Sequence, residues 1–158
     1  MSDVQYPFID VAVHERVREA FAAGMAVVLF SPDLRSVSWA NGRGAALFGF
    51  GSIYDFLDQG LDRGELMFRQ VEPVARSLQS VGDRRTFTVR IASGFLRVAV
   101  QARCETIRVQ DKPCILLSVP VDSQSLPLKE CAVRLLVGFD DPETHMAVLD
   151  ADGNILAA

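Results

Sequence analysis

MAVVLFSPDLRSVSWANGRGAALFG, residues Met25–Gly49, reads as strand, turn, strand and capped helix. Met25–Phe30 is apolar, rich in β-branched and aromatic residues, and far too short for a membrane span. Ser31-Pro32-Asp33 interrupts it, because Pro32 has a fixed φ and no N–H to give to a ladder. Ser36-Val37-Ser38-Trp39 alternates polar and apolar, the pattern of a half-buried strand. Asn41 is placed to cap a helix over Gly42–Phe48, and Gly49 to end it in the left-handed region. Within the first strand Ala26, Val28 and Phe30 share one face and Met25, Val27 and Leu29 the other. A strand apolar on both faces is central to its sheet and covered on both sides.

Upstream, Val13, Val17, Ala20 and Phe21 fall on one stripe of a helix that Asp10 would cap and Gly24 would stop. That helix is the nearest cover for the outer face of the first strand, either in its own chain or in a second copy. Ser2–Ile9 carries Pro7 and no periodicity, as a leader does. Downstream, Ser52-Ile53-Tyr54-Asp55 fits a capping box for a short helix. Met67, Val71, Val74, Ala75 and Leu78 keep one helical face to about Val81, with Pro73 expected to kink or restart the helix.

Three strands follow. Arg85–Ala92 alternates with Phe87, Val89 and Ile91 on one side. A Ser93-Gly94 loop would set these opposite Leu96, Val98 and Val100. An Asp111-Lys112 loop would set residues 106, 104 and 102 opposite Leu117, Val119 and Val121. One apolar face then runs across three antiparallel strands, with Arg97, Gln101, Arg103 and Glu105 facing away. Adding the first two strands gives an α+β fold with five antiparallel strands and helices between strands two and three.

Trp39-Ala40-Asn41, four residues, then Ala46-Leu47-Phe48-Gly49, in this order of elements, resembles a PAS domain, and the resemblance covers about Val13–Asp122. It implies that the last strand lies beside the first. The expected organisation is a leader and amphipathic helix over 1–24, a PAS domain over 25–122, and a helical connector and linker over 123–144. The connector begins at Pro127 and carries Leu128, Cys131, Ala132, Leu135, Leu136 and Phe139 on one stripe, stops at Gly138, and passes into Asp140-Asp141-Pro142. Residues 145–158 repeat the pattern of Met25–Ala40 and read as the truncated first hairpin of a second, similar domain.

The composition bounds the function. The chain has 158 residues, 49% of them hydrophobic, enough for one good core, and a net charge of −4 with scattered basic residues, which argues against nucleic acid. Neither a membrane span nor a signal peptide is expected, and three cysteines without metal-type spacing fit a reducing cytoplasm. No catalytic constellation emerges. His14 and His145 read as surface residues, and Ser36, Ser38 and Ser118 lack a histidine to activate them. Gly42-Arg43-Gly44 is too short for a phosphate loop. Asp150-Ala151-Asp152-Gly153 lacks the downstream glutamate of a calcium loop, so no metal site is expected. Cys104 should face the core near Val119 and Cys114 the opposite face near Val109, which excludes a disulfide between them.

PAS domains often hold a ligand between sheet and helices. The resemblance places such a cavity among Val28, Phe30, Trp39, Phe68, Val71, Phe87, Val89, Val100, Cys104, Leu117 and Val119; the alternative is a filled core. Haem is disfavoured because Glu65–Val81 has no histidine, and flavin because no helix carries an Asn-Cys-Arg motif. Within signalling proteins, the chain is similar to the N-terminal PAS region of PdhS-type cell-cycle sensor histidine kinases of alphaproteobacteria. This implies a cytoplasmic parent kinase, open to localisation at a cell pole, that uses ATP outside this chain and exchanges phosphate with a response regulator. The expected role is a cofactor-free homodimerisation and relay module, with Val13, Val17, Phe21, Val27, Leu29, Leu128, Leu135 and Leu136 carrying contact and signal. A small-molecule sensor from another signalling protein, such as a cyclic-dinucleotide enzyme, is the alternative, and a small enzyme the third reading.

Overall fold

A computed structural model describes residues 6–93, 95–120, 128–139 and 143–158. The chain runs through helices α1 (Phe8–Ala12) and α2 (Arg18–Ala22), strands β1 (Ala26–Phe30) and β2 (Val37–Ala40), and helices α3 (Gly42–Leu47), α4 (Ile53–Gln59) and α5 (Leu66–Arg76). Strands β3 (Arg84–Ser93), β4 (Leu96–Val109) and β5 (Lys112–Val119), helix α6 (Leu128–Leu136) and a small hairpin, β6 (Val148–Leu149) with β7 (Ile155–Ala157), complete it. The five-stranded antiparallel sheet has the order β2-β1-β5-β4-β3, so the first strand lies between the second and the last, as the PAS resemblance implies. Every residue of β1 is buried, one face in the core beneath α3–α5 and the other in a second apolar cluster.

Local chemistry explains the elements. Asn41 Oδ1 accepts from Gly44 N–H at 2.8 Å and caps α3, while Gly49 ends that turn at φ +88°. Ser52 caps α4 through Tyr54 N–H, and the Glu65 carboxylate caps α5 through Phe68 N–H at 2.9 Å. α5 runs through Pro73 without restarting and stops at Arg76, short of Val81. There the Asp83 carboxylate takes the Gln79 and Ser80 N–H groups, each at 2.9 Å, and offers the backbone a turn in place of another helical turn.

Both hairpins fold with the expected faces and a displaced register. Ile91 pairs with Val98, Val89 with Val100 and Phe87 with Ala102, so the turn lies one residue beyond Ser93-Gly94. Gly94 itself lies outside the described residues. Cys104 pairs with Leu117 and Thr106 with Ile115, because the second turn is Gln110-Asp111, both at positive φ. Val121 lies outside the described residues. Moving a two-residue turn by one position shifts a register by two, which keeps every side chain on its face; alternation cannot detect such an error.

The sheet's outer side departs from expectation along the N-terminal stripe and in β2. The stripe through Val13, Val17 and Phe21 is not one helix, and Asp10 does not cap it; α1 starts after Pro7, and residues 13–17 break it from α2. Nor is His14 a surface helix residue: it lies in the break, where its Nδ1 accepts from Arg16 N–H at 3.1 Å and diverts that amide from a helical ladder. The break turns Val13 out, 60% exposed, and Val17 in, fully buried. In β2, Leu29 pairs with Trp39 but Phe30 with Val37, so Ser38 is a bulge. The extra residue resets the alternation. Val37 joins the core under the helices, and Trp39 joins the outer cluster.

Candidate functional site

Most of the residues expected to line a ligand cavity lie together in the main core. Val28, Phe30, Phe68, Val71, Val89, Cys104, Leu117 and Val119 come together in the main core, with Phe87 and Val100 half-buried at its margin. Trp39 is on the opposite side of the sheet. Phe30 meets Phe48 and Phe68 edge-on at 5.9 and 6.4 Å, and Phe48 stacks on Phe56 at 5.3 Å. Burial pushes the Cys104 thiol up to about 12, so it stays protonated and serves as a small apolar group. A cleft of about 690 Å³ between the end of α5 and the strand ends is lined by Leu34, Leu78, Val81, Pro113 and Ile115, with Arg76, Gln79 and Thr106 as its polar groups. None of the expected cavity residues lines it.

Over β1, β2, β5 and the end of β4, the sheet's outer face is covered by the chain's own N-terminal segment, a strap from Tyr6 to Ala22. Val11, Ala12 and Val17 of the strap pack on Val27, Leu29, Trp39, Ile107, Val109, Cys114 and Leu116. Polar ties fix its path. Trp39 Nε1–H donates to Phe8 O at 3.1 Å, His14 Nε2 pairs with Arg108 O at 2.8 Å, and Gln110 Nε2–H donates to Asp10 at 3.2 Å. Because His14 Nδ1 accepts from Arg16 N–H, Nε2 carries the proton and donates. Arg16 grips Glu105 with two hydrogen bonds, 3.1 and 2.7 Å long, and the carboxylate is buried. Burial, then the contact with Cys114 Sγ, pushes the Tyr6 hydroxyl up to about 12.

Of the expected dimer and relay residues, Val17, Val27 and Leu29 are therefore consumed within the chain, and Phe21 is half-buried against Phe8 and Trp39. Val13 and Leu128 stay exposed, and Leu135 and Leu136 are half-buried. The connector does not project from the domain. α6 packs on α2, α3 and the β6–β7 hairpin. Its start at Pro127 and the Asp140-Asp141-Pro142 linker lie outside the described residues. Gly138 O accepts from Ile53 N–H at 3.3 Å, and a Cβ on Gly42 would lie 1.5 Å from Val137 O. Phe8 of the strap meets Phe139 edge-on at 4.8 Å, so strap and connector share one aromatic contact.

This contact arrangement predicts the effect of Gly42→Ala. The methyl would meet backbone, which cannot rotate away, so α6 must lift from α3. The cost is limited by what docking of α6 is worth, and we expect about 1–3 kcal/mol. Hydrogen exchange should show protection lost in α6 and retained in β4 and β5; uniform loss would contradict a separately docked connector.

The tail hairpin repeats the first hairpin's turn chemistry. Ser31 Oγ accepts from Arg35 and Ser36 N–H, and Asp150 Oδ1 accepts from Asp152 and Asn154 N–H. His145 is exposed nearby. Among the described residues no cluster of His, Cys, Asp and Glu has metal-binding geometry, and no helix is long and apolar enough to cross a membrane.

No protein-family model matches the chain. Over 153 residues, 97% of the chain, it is 33% identical to the cell-division control histidine kinase PdhS of Brucella anthropi, and equally to that of Brucella abortus. The chain spans 14% of the length of these relatives. A solved PAS domain of an HTR-like protein from Haloarcula marismortui overlaps 65% of this chain and 87% of its own at a TM-score of 0.42 and 15% identity.

Proposed function

We propose that this chain is the sensory PAS module of a cell-division control histidine kinase, and that its connector helix passes the signal to catalytic parts outside it. The observation that carries this reading is the 33% identity over 97% of the chain to kinases of which the chain spans only 14%. The kinase parts would use ATP and exchange phosphate with a response regulator, in the cytoplasm and in the parent's case at a cell pole. In this reading the module works without haem or flavin, which the phenylalanine rings packed in its core support. Residues 145–158 serve as the first hairpin of a second PAS-like unit, a reading supported by the repeated turn chemistry.

The relay is a two-state element: α6 docked on α3 and the strap, or released. A chimaera tests it. This chain replaces the matching region of Brucella abortus PdhS, and autophosphorylation is compared with and without Gly42→Ala. A severalfold change in rate is expected; equal rates would remove α6 docking from the signal path.

The module acts as a homodimer, and the free apolar surface moves the contact from Val17 and Phe21 to Ile9 and Val13. These lie one helical turn apart and are 64% and 60% exposed. Native mass spectrometry should give two chains for the parent and one for Ile9→Asp/Val13→Asp, at an unchanged melting temperature. Val17→Asp instead places a carboxylate in an apolar cluster and should cost about 3 kcal/mol or more. A single-chain mass for the parent would overturn the dimer.

A further inference from the structure

The strap covers β1, β2, β5 and the last residues of β4, and leaves the outer face of β3 and most of β4 bare. Register places Arg84, Thr86, Thr88, Arg90 and Ala92 of β3 on that face with Arg97, Ala99, Gln101 and Arg103 of β4, all exposed. Thr86 lies opposite Arg103 and Ala92 opposite Arg97, so Arg84 neighbours Arg103 on one diagonal and Arg90 neighbours Arg97 on another. Between these two pairs lies a neutral rung, Gln101 Nε2–H donating to Thr88 Oγ1 at 2.8 Å. At the strand rise the pairs stand about 20 Å apart. Glu105 is the one carboxylate in either strand, and Arg16 already holds it. None of the four arginines makes an ion pair among the described residues. At the hairpin tip, beside Arg97, Phe95 is fully exposed.

We propose that this face docks an acidic helix of a partner protein that presents two carboxylate clusters about 20 Å apart. Unpaired guanidinium forks on a floor of Thr, Ala and Gln suit bidentate carboxylates, and arginines beside an exposed aromatic supply the residue types that dominate interface energetics. The face does not suit a second copy of itself, because a two-fold apposition would set arginine on arginine with no acid to answer. Nor does it suit a continuous polyanion, since the cations leave a neutral gap and the chain as a whole carries −4. The face stands apart from the kinase reading; its failure would leave that reading intact, and the reverse holds.

The test uses the 158-residue chain and a labelled alanine-rich synthetic helix. One peptide carries two glutamate pairs, each spaced i, i+4, about 13 residues apart. Its isomer carries the same glutamates in one block. Fluorescence anisotropy at low and near-physiological salt should show the patterned helix binding more tightly than its isomer. Arg84→Glu/Arg103→Glu and Arg90→Glu/Arg97→Glu should each weaken it by about tenfold or more. Phe95→Ser should weaken it, and Arg63→Glu/Arg69→Glu, on the helical side, should not. Should the charge reversals unfold the chain, the corresponding Arg→Gln pairs carry the same comparison. Equal affinity for both isomers would reduce the effect to general charge and overturn the proposal. So would arginine-dependent binding to phosphatidylserine vesicles with none to the patterned helix, which would make the face a lipid surface.

Discussion

Replacing Asn41 by alanine is expected to destabilise the chain by about 3–5 kcal/mol. Asn41 is a helix cap, but most of the effect comes from elsewhere. Its Oδ1 accepts from Val27 N–H at 3.0 Å as well as from Gly44 N–H at 2.8 Å, and its Nδ2–H donates to Met25 O at 2.7 Å. One buried side chain therefore ties the start of the central strand to the helix that follows β2. Alanine leaves these backbone groups without partners, two of them at the edge of the most buried strand in the sheet. Each such group costs about 1–3 kcal/mol, and relaxation recovers part. Asn41→Asp separates the components: it keeps the acceptor and sets a carboxylate oxygen against Met25 O. A protonated carboxyl can donate to Met25 O and an ionised one cannot, so the folded state should hold that proton more tightly than the unfolded chain. Stability of this variant should then rise as pH falls through the carboxyl's range. Urea unfolding of both variants checks the prediction; a loss below about 1 kcal/mol for alanine would mean that water replaces all three bonds.

What the sequence reveals and what it hides divide along the range of the interactions. The strands, their faces and the central place of β1 follow from period-two alternation and from six consecutive apolar residues, Met25–Phe30, both local signals. Asn41 and Gly49 are equally legible, because caps are decided within one turn. The misreadings come from single side chains that reset a period. The bulge at Ser38 sends Trp39 through the sheet, and the Arg16 amide taken by His14 breaks a stripe that looked continuous. Turn positions escape for a different reason: a two-residue loop moved by one position leaves every face unchanged. The docked connector rests on the close approach of Gly42 and Val137 and on the Phe8–Phe139 contact, and neither leaves a pattern in the sequence. The arginine face was half visible, in Arg97 and Arg103 turned from the core; only the strap's path shows that it stays uncovered.

Arg16→Met should produce the other large effect, and Trp39 should report it. Glu105 lies 89 residues from Arg16, with its side chain 6% exposed, and both of its oxygens are held by the guanidinium. Removing the arginine leaves a buried carboxylate without its partner, which costs about 3–5 kcal/mol when the structure does not move. The strap can move, so the chain can instead release it and hydrate Glu105. Arg16 is 36% exposed, so the reverse substitution, Glu105→Gln, strands its charge near water and should cost far less. The double variant Arg16→Met/Glu105→Met should recover most of the loss, because two apolar side chains of similar size need no partner. Trp39 is the single tryptophan of the chain, buried under the strap with its indole N–H on Phe8 O. Strap release should therefore red-shift its emission in Arg16→Met and leave it unchanged in the double variant. Phe8 also touches Phe139, so the same release should raise protease sensitivity in α6. If emission shifts while α6 stays protected, strap and connector move independently and the aromatic contact transmits nothing. If both respond together and both recover in the double variant, the Arg16–Glu105 pair under the strap sets the docking of the connector on strap and α3.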